Sequence, residues 1–212
     1  MLARPDALPA GKGWGFESKL DGFRALVDTH DGLRVLGRRG WNMTDRLPEL
    51  HTLPEGLTLD GELVACGEDE MPSWPQLGQR VLHGRKGISI RLFVFDVLRV
   101  EGHDTMCLPY RERRTILEAL ELPRVVRVLD SYENGLCLFE AVCRSGFEGV
   151  VAKRLSDPYR PGRPDWVKTK KREYWRYPLE GWRDGVEATV LSAQVRERRR
   201  AVRPAAVVRR AF

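Results

Sequence analysis

Short apolar runs broken by glycine, proline and aspartate fill most of the chain, and their spacing predicts strands before helices. Residues 15–17, 25–29, 33–36 and 57–65 are such runs, and Asp31-Gly32 between the second and third is a hairpin signal. Residues 88–97 read as a buried strand, and 149–153 and 166–170 as two more. Helical spacing is found twice: over 111–120, through Ile116, Leu117 and Leu120, and over 136–145, through Phe139, Val142 and Cys143. Strands and helices do not alternate at βαβ spacing, and no heptad or internal repeat is visible. The fold class predicted is α+β, rich in strands.

Charged residues recur in strands that are otherwise apolar. Lys19 follows a strand and precedes the turn Leu20-Asp21-Gly22, and Glu62 lies within 59–64. Asp96 ends Phe93-Val94-Phe95, and Lys153 ends Gly149-Val150-Val151-Ala152. Lys168 and Lys170 share one strand face with Trp166 by the period of two. Charge in a half-buried strand costs free energy unless a partner or ligand compensates it. One such residue is an ordinary strand end reaching water; six in one chain imply a shared polar cleft. Lysines and arginines for phosphates, carboxylates for a metal and aromatics for a base together suit a nucleoside triphosphate. No GxxxxGK[ST] loop is present, so side chains rather than a cradle of backbone N–H groups must hold the phosphates.

The 212 residues suit one large domain, or one domain and part of a second, and 42% hydrophobic content is enough for a core. No apolar run approaches a membrane span and residues 1–10 lack a signal pattern, so the expectation is a soluble, cytoplasmic protein with no membrane partner. Cys66, Cys107, Cys137 and Cys143 form no CxxC pair and have no histidine at zinc-ligand spacing, so they read as reduced thiols. The net charge of +6 is uneven: residues 172–212 hold ten arginines and five acids, while the preceding body is nearly neutral. That distribution fits either a polyanionic partner or a solvated basic end.

Lys19-Leu20-Asp21-Gly22-Phe23-Arg24 resembles the KxDGxR motif of the covalent nucleotidyltransferases, which comprise DNA ligases, RNA ligases and mRNA capping enzymes. The family's other motifs follow in order. They are Arg38-Arg39-Gly40 with Thr44, Asp60-Gly61-Glu62, Phe93-Val94-Phe95-Asp96-Val97-Leu98, Glu148-Gly149-Val150-Val151-Ala152-Lys153 and Trp166-Val167-Lys168-Thr169-Lys170. Gly13-Trp14-Gly15-Phe16-Glu17 and Tyr159-Arg160-Pro161-Gly162-Arg163 look like the bacterial ATP-dependent ligases of the end-joining type. The resemblance covers residues 1–171. It implies an ATP-grasp-like nucleotidyltransferase domain of antiparallel sheets flanked by helices. It also implies an ATP-dependent DNA ligase activity in which Lys19 forms lysyl–AMP and AMP passes to a DNA 5′-phosphate for nick or end sealing in repair.

By the same resemblance, Arg24, Lys153, Lys168 and Lys170 are expected at phosphates, Arg38 at a phosphate of the nucleotide or the DNA, Glu62 at the ribose and Glu17 at the adenine amino group. Phe95 is expected against the base, with Phe93 as the other candidate. Glu148 and Asp96 are expected to hold Mg2+ or Mn2+, directly or through water. Trp166 is expected to pack. Neighbouring cations, Lys168 and Lys170 among them, are expected to favour the neutral Lys19 amine.

The partners implied are ATP and nicked or broken double-stranded DNA, with an end-joining protein or an OB domain acting in trans as a further partner. The chain departs from the family after Lys171. The 172–212 segment reads as a basic tail or a partial OB remnant, since five strands are needed to close that barrel. Arg39 stands where the family has Asn. The competing expectations are an RNA-joining or capping relative and a non-catalytic nucleic-acid-binding accessory protein that keeps the fold.

Overall fold

The computed structural model describes residues 1–66, 72–145 and 147–171. Two sheets form. The first is built from β1 (Ala3–Pro5), β2 (Trp14–Lys19), β9 (Ser131–Tyr132), β10 (Gly149–Arg154) and β11 (Trp166–Lys170), in the order β1-β11-β10-β2-β9. The second contains β3 (Phe23–Asp28), β4 (Arg34–Gly37), β5 (Leu57–Ala65), β6 (Ile90–Val100) and β7 (His103–Asp104), in the order β4-β3-β5-β6-β7. β8 (Val126–Val128) pairs parallel with β6. Three α-helices, α1 (Trp74–Val81), α2 (Tyr110–Ala119) and α3 (Gly135–Arg144), and two 3-10 helices, Thr44–Arg46 and Pro48–Thr52, complete the described fold.

Every longer run predicted from spacing forms its element, within a few residues at the ends. The elements not predicted are α1, the 3-10 helices Thr44–Arg46 and Pro48–Thr52, and the two- and three-residue strands β1, β7, β8 and β9, which are too short to show a period. Asp96 does not end its strand, because β6 continues to Val100. The 172–212 expectations fall outside the described residues.

Strand periodicity sorts the side chains cleanly. On one face of the second sheet Ala25, Val27, Leu59, Leu63, Leu92, Val94 and Val97 are buried, packed with Leu77 and Val81 of α1 and Leu117 of α2. On one face of the first sheet Phe16, Val150, Ala152 and Val167 pack with Val142 of α3. Asn134 starts α3 by accepting a hydrogen bond from the Cys137 N–H at 3.0 Å. The polar residues singled out from the sequence occupy the other face of each sheet.

Helix α2 ties the two sheets together. Tyr110, Arg113 and Leu117 bury one stripe of it at helical spacing. Its first N–H groups, which lack partners inside the helix, donate to Asp157 O (2.9 Å, from Tyr110) and Leu155 O (3.0 Å, from Arg111) beyond β10. Arg113 donates twice to the Asp96 carboxylate of β6, at 2.7 and 3.0 Å, and again to Leu108 O and Asp157 O. Both side chains of this pair are essentially inaccessible to water. Removing one partner leaves a buried charge uncompensated, which typically costs about 3–5 kcal/mol. Arg113→Met is therefore expected to lower the free energy of urea unfolding by about that amount; a loss below about 1 kcal/mol would show that the pair behaves as a solvated one.

Candidate active site

The KxDGxR segment is where the chain crosses from one sheet to the other. Lys19 is the last residue of β2, and Phe23 and Arg24 open β3 in the opposite sheet. Gly22 lies at the crossing. A Cβ there would come 2.1 Å from Leu63 O, so the chain can pass so close to β5 only without a side chain. The motif thus places a lysine on one wall of the cleft and an arginine on the other.

Register fixes the lysine wall. Lys19 lies opposite Gly149, which lies opposite Lys170; Glu17 lies opposite Val151, which lies opposite Lys168; and Gly15 lies opposite Lys153. All these residues share one face, because direct partners on antiparallel strands point to the same side. Gly149 separates the two lysines without a side chain, and a Cβ on it would meet Thr169 O at 2.2 Å. Glu148 binds both ammonium groups: Lys19 Nζ is 2.6 Å from Oε2 and Lys170 Nζ is 2.9 Å from Oε1. Lys19 keeps 22% of its side-chain surface exposed, against 4% for Glu148.

The opposite wall carries Arg24, Glu62 and Phe93 in one row and Leu26, Asp60 and Asp96 in the next. The register of β6 slips between the partners of Asp60 and Gly61, so that Phe95 is an extra residue between Val94 and Asp96. This bulge turns both Phe95 and Asp96 toward the cleft. It also separates the two phenylalanines. Phe93 is buried with Leu20 and Val64, whereas Phe95 is half-buried, edge-on to Trp166 at 5.7 Å, with the Arg24 guanidinium 5.7 Å from its ring centre. Of the two rings, Phe95 is the one that keeps some exposure. Trp166 is buried against Phe95 and Tyr159, in the packing role expected of it.

Arg24 is held by Asp60 through Nε (2.9 Å) and Nη2 (2.5 Å), and Tyr159 donates its hydroxyl to the same carboxylate at 2.8 Å. Burial pushes the Glu62 carboxyl up to about 7, with the Asp60 and Glu148 carboxylates adding to the rise and Lys19 and Arg24 opposing it. Glu62 therefore lies within the electrostatic reach of the lysine wall.

Three expected site residues sit elsewhere than the sequence implied. Lys153 is buried and bonds Glu17 at 2.7 Å and Phe95 O at 2.9 Å. In register it lies four residues along β10 from Gly149, about 13 Å at the usual strand rise. Glu17 stands between it and Lys19, so Lys153 lies apart from the Lys19–Glu148–Lys170 cluster. Asp96 has both carboxylate oxygens engaged by Arg113 and offers no free face to a metal. Arg38 is exposed in the turn after β4, an edge strand, and joins none of the described contacts of the charged cluster. Sequence reasoning missed Tyr110, Arg113, Arg114 and Tyr159. A tyrosine or arginine on a helix or in a loop carries no signal of the carboxylate it will meet.

Two facing sheets joined at a lysine, with aromatic and carboxylate groups lining the gap, define a nucleotidyltransferase fold of the ligase type. The chain belongs to the ATP-dependent DNA ligase domain family, whose model matches residues 6–170. The multifunctional non-homologous end joining protein LigD of Mycolicibacterium smegmatis is 35% identical over 183 residues, covering 82% of this chain and 24% of that protein. The LigD of Pseudomonas aeruginosa is 36% identical over 185 residues, covering 82% of this chain and 22% of that protein. The chain thus spans about a quarter of the length of these end-joining relatives. Among solved structures, mycobacterial DNA ligase D complexed with ATP and MES matches with a TM-score of 0.70 and 29% identity, covering 80% of this chain and 58% of that one. Among the described residues no helix is long and apolar enough to cross a membrane.

Because the folded-state value of Glu62 lies above the ordinary 4.5, its protonated form favours the folded chain. That contribution is complete below about pH 4.5 and is lost as pH rises to about 7. Wild-type protein should therefore lose stability relative to Glu62→Gln across that interval, measured as urea midpoints at a series of pH values. Parallel curves for the two proteins would contradict the shift.

Proposed function

We propose that the chain is the adenylation domain of an end-joining ligase, in which Lys19 becomes covalently joined to AMP and the AMP is then passed to the 5′-phosphate of nicked or broken DNA. One observation carries this reading: the Lys19 amine stands at the joint of the two walls, bonded to Glu148 beside Lys170. In the first step the neutral amine attacks the α-phosphorus of ATP. An N–P bond forms, the bond from that phosphorus to the pyrophosphate oxygen breaks, and pyrophosphate leaves. The amine must first shed a proton, and Glu148 is the carboxylate in contact with it.

Lys170 and Lys168 supply positive charge where the phosphates gain negative charge. Arg24, fixed by Asp60 and Tyr159, supplies a further cation from the opposite wall. Phe95 offers a face to the base, Glu62 an acceptor to the ribose and Glu17 an acceptor to the base edge. Arg38, exposed in the turn after β4, suits a phosphate of the DNA.

Magnesium keeps most of its waters and needs one or two carboxylates together with substrate phosphates. Glu148 fits that requirement and Asp96 does not. A bound magnesium would neutralise phosphate charge there. Residues 1–171 form the adenylation domain, and the basic 172–212 segment adds affinity for DNA or leads into an OB region. An end-joining partner and a cytoplasmic site of action accompany this reading.

The test is to mix the full chain with α-labelled ATP and magnesium, denature it and look for label on the protein. Wild type should be labelled and Lys19→Ala should not. Lys170→Ala should label about 100-fold more slowly. Absence of label on the wild type, with or without an OB domain supplied separately, would overturn the proposal. Sealing of nicked DNA in preference to nicked RNA should follow in the labelled protein.

A further inference from the structure

Along the lysine wall the order is Lys19, then Glu17, then Lys153, each step being two residues in register, about 7 Å. Glu17 lies on the nucleophile's side of Lys153, and its carboxylate is clamped from behind. Oε2 is 2.7 Å from Lys153 Nζ, Oε1 accepts the Tyr110 hydroxyl, and Arg114 Nη1 lies 3.8 Å from Oε1. Lys153 is itself fixed. It donates to Phe95 O, and its ammonium lies 4.4, 4.5 and 4.8 Å from the ring centres of Trp166, Phe95 and Tyr110. This is a large number of interactions for a lysine that reaches neither Lys19 nor Glu148.

We propose that Lys153 and Tyr110 are positioning residues for base selection: Lys153 keeps Glu17 ionised and Tyr110 fixes its orientation, so that the site accepts a purine bearing a 6-amino group and rejects one bearing a 6-oxo group. The inference rests on the reading that the cleft holds a nucleoside triphosphate with its base toward Glu17. An ionised carboxylate is an acceptor only. It receives an N–H from an amino group and repels a carbonyl oxygen. A protonated carboxyl has a donor and can bond the carbonyl instead, so selectivity depends on the charge of Glu17.

Burial pushes the Glu17 carboxyl up, and Lys153, Tyr110 and Arg114 oppose that rise, Lys153 most strongly. Tyr110 is itself raised well above its ordinary value by burial and by Glu17, so the phenol stays protonated and donates. The groups facing Glu17 are Lys153 on β10, Tyr110 and Arg114 on α2 and Ser131 on β9; Asp96 and Asp60 act on it through Lys153. Lys153 is the cation in direct contact with the carboxylate.

Covalent labelling with ATP and with ITP, whose base carries a carbonyl in place of the 6-amino group, gives a selectivity ratio in kcat/KM for the full-length chain. Lys153→Met should lower this ratio by about tenfold at neutral pH. The ratio should recover as pH rises and Glu17 ionises. Tyr110→Phe, which keeps the ring, should lower it by about threefold through KM for ATP, with kcat unchanged and no recovery at high pH. A folded Lys153→Met protein with the wild-type ratio at every pH overturns the proposal. If Lys153→Met does not fold, Tyr110→Phe decides, and an unchanged ratio overturns it equally. A wild-type chain that takes no label from ATP refutes the adenylation reading itself, a failure distinguishable from equal selectivity in labelled variants.

Discussion

The two sheets of this domain meet through paired charges as well as through the apolar contacts of Trp166 and Tyr159 with Phe95 and Leu98, and the structure depends on those charges being paired. A carboxylate or ammonium taken out of water costs several kcal/mol unless geometry and hydrogen bonds compensate it. The layer satisfies this by crossing its pairs between elements: Arg113 of α2 on Asp96 of β6, Arg24 of β3 on Asp60 of β5 and Tyr159, and Lys153 of β10 on Glu17 of β2 and Phe95 O of β6. Two of these contacts cross between the walls: Lys153 of β10 to Phe95 O of β6, and Tyr159, beyond β10, to Asp60 of β5.

Within that layer some groups are fully committed and others are not. Asp96, Asp60, Glu17 and Lys153 are almost wholly buried and engaged with protein. Lys19 and Arg24 each keep about a fifth of their side-chain surface exposed. The division follows depth in the cleft. Buried pairs provide the frame, and Lys19 and Arg24 keep some contact with solvent. This gradient explains why two lysines of similar sequence context, Lys153 and Lys170, have different parts. Both lie on the same face of one sheet, but Lys170 sits two strands from Lys19 across a glycine, whereas Lys153 sits behind Glu17.

Much of this was legible in the sequence, for definable reasons. The longer strands and two of the helices followed from apolar spacing, and charged residues inside apolar strands correctly implied a shared cleft. Lys19, Glu148 and Lys170 were expected in one cluster and do meet, because each lies at or beside a strand end whose neighbours fix its direction. Phe93 and Phe95 could not be separated, because they have the same parity and a bulge leaves no mark in a run of Phe, Val, Asp and Leu. Lys153 was misplaced for a related reason. Its face was predictable, but its distance from Lys19 depends on the antiparallel register of β10 against β2. Tyr110, Arg113 and Tyr159 carried no warning because their partners are remote in sequence.

The crossing at Gly22 gives the KxDGxR pattern a physical meaning beyond a list of reactive groups. A nucleophile anchored on one sheet and an arginine anchored on the other, five residues apart, cannot move independently of the gap between the sheets. Any change in that gap shifts Lys19 relative to Arg24 and to the Glu62 row beside it. The intersheet pairs on α2 therefore act on the geometry of the site as well as on stability. Loosening Arg113 would free Asp96 and, with it, the irregular stretch of β6 that carries Phe95.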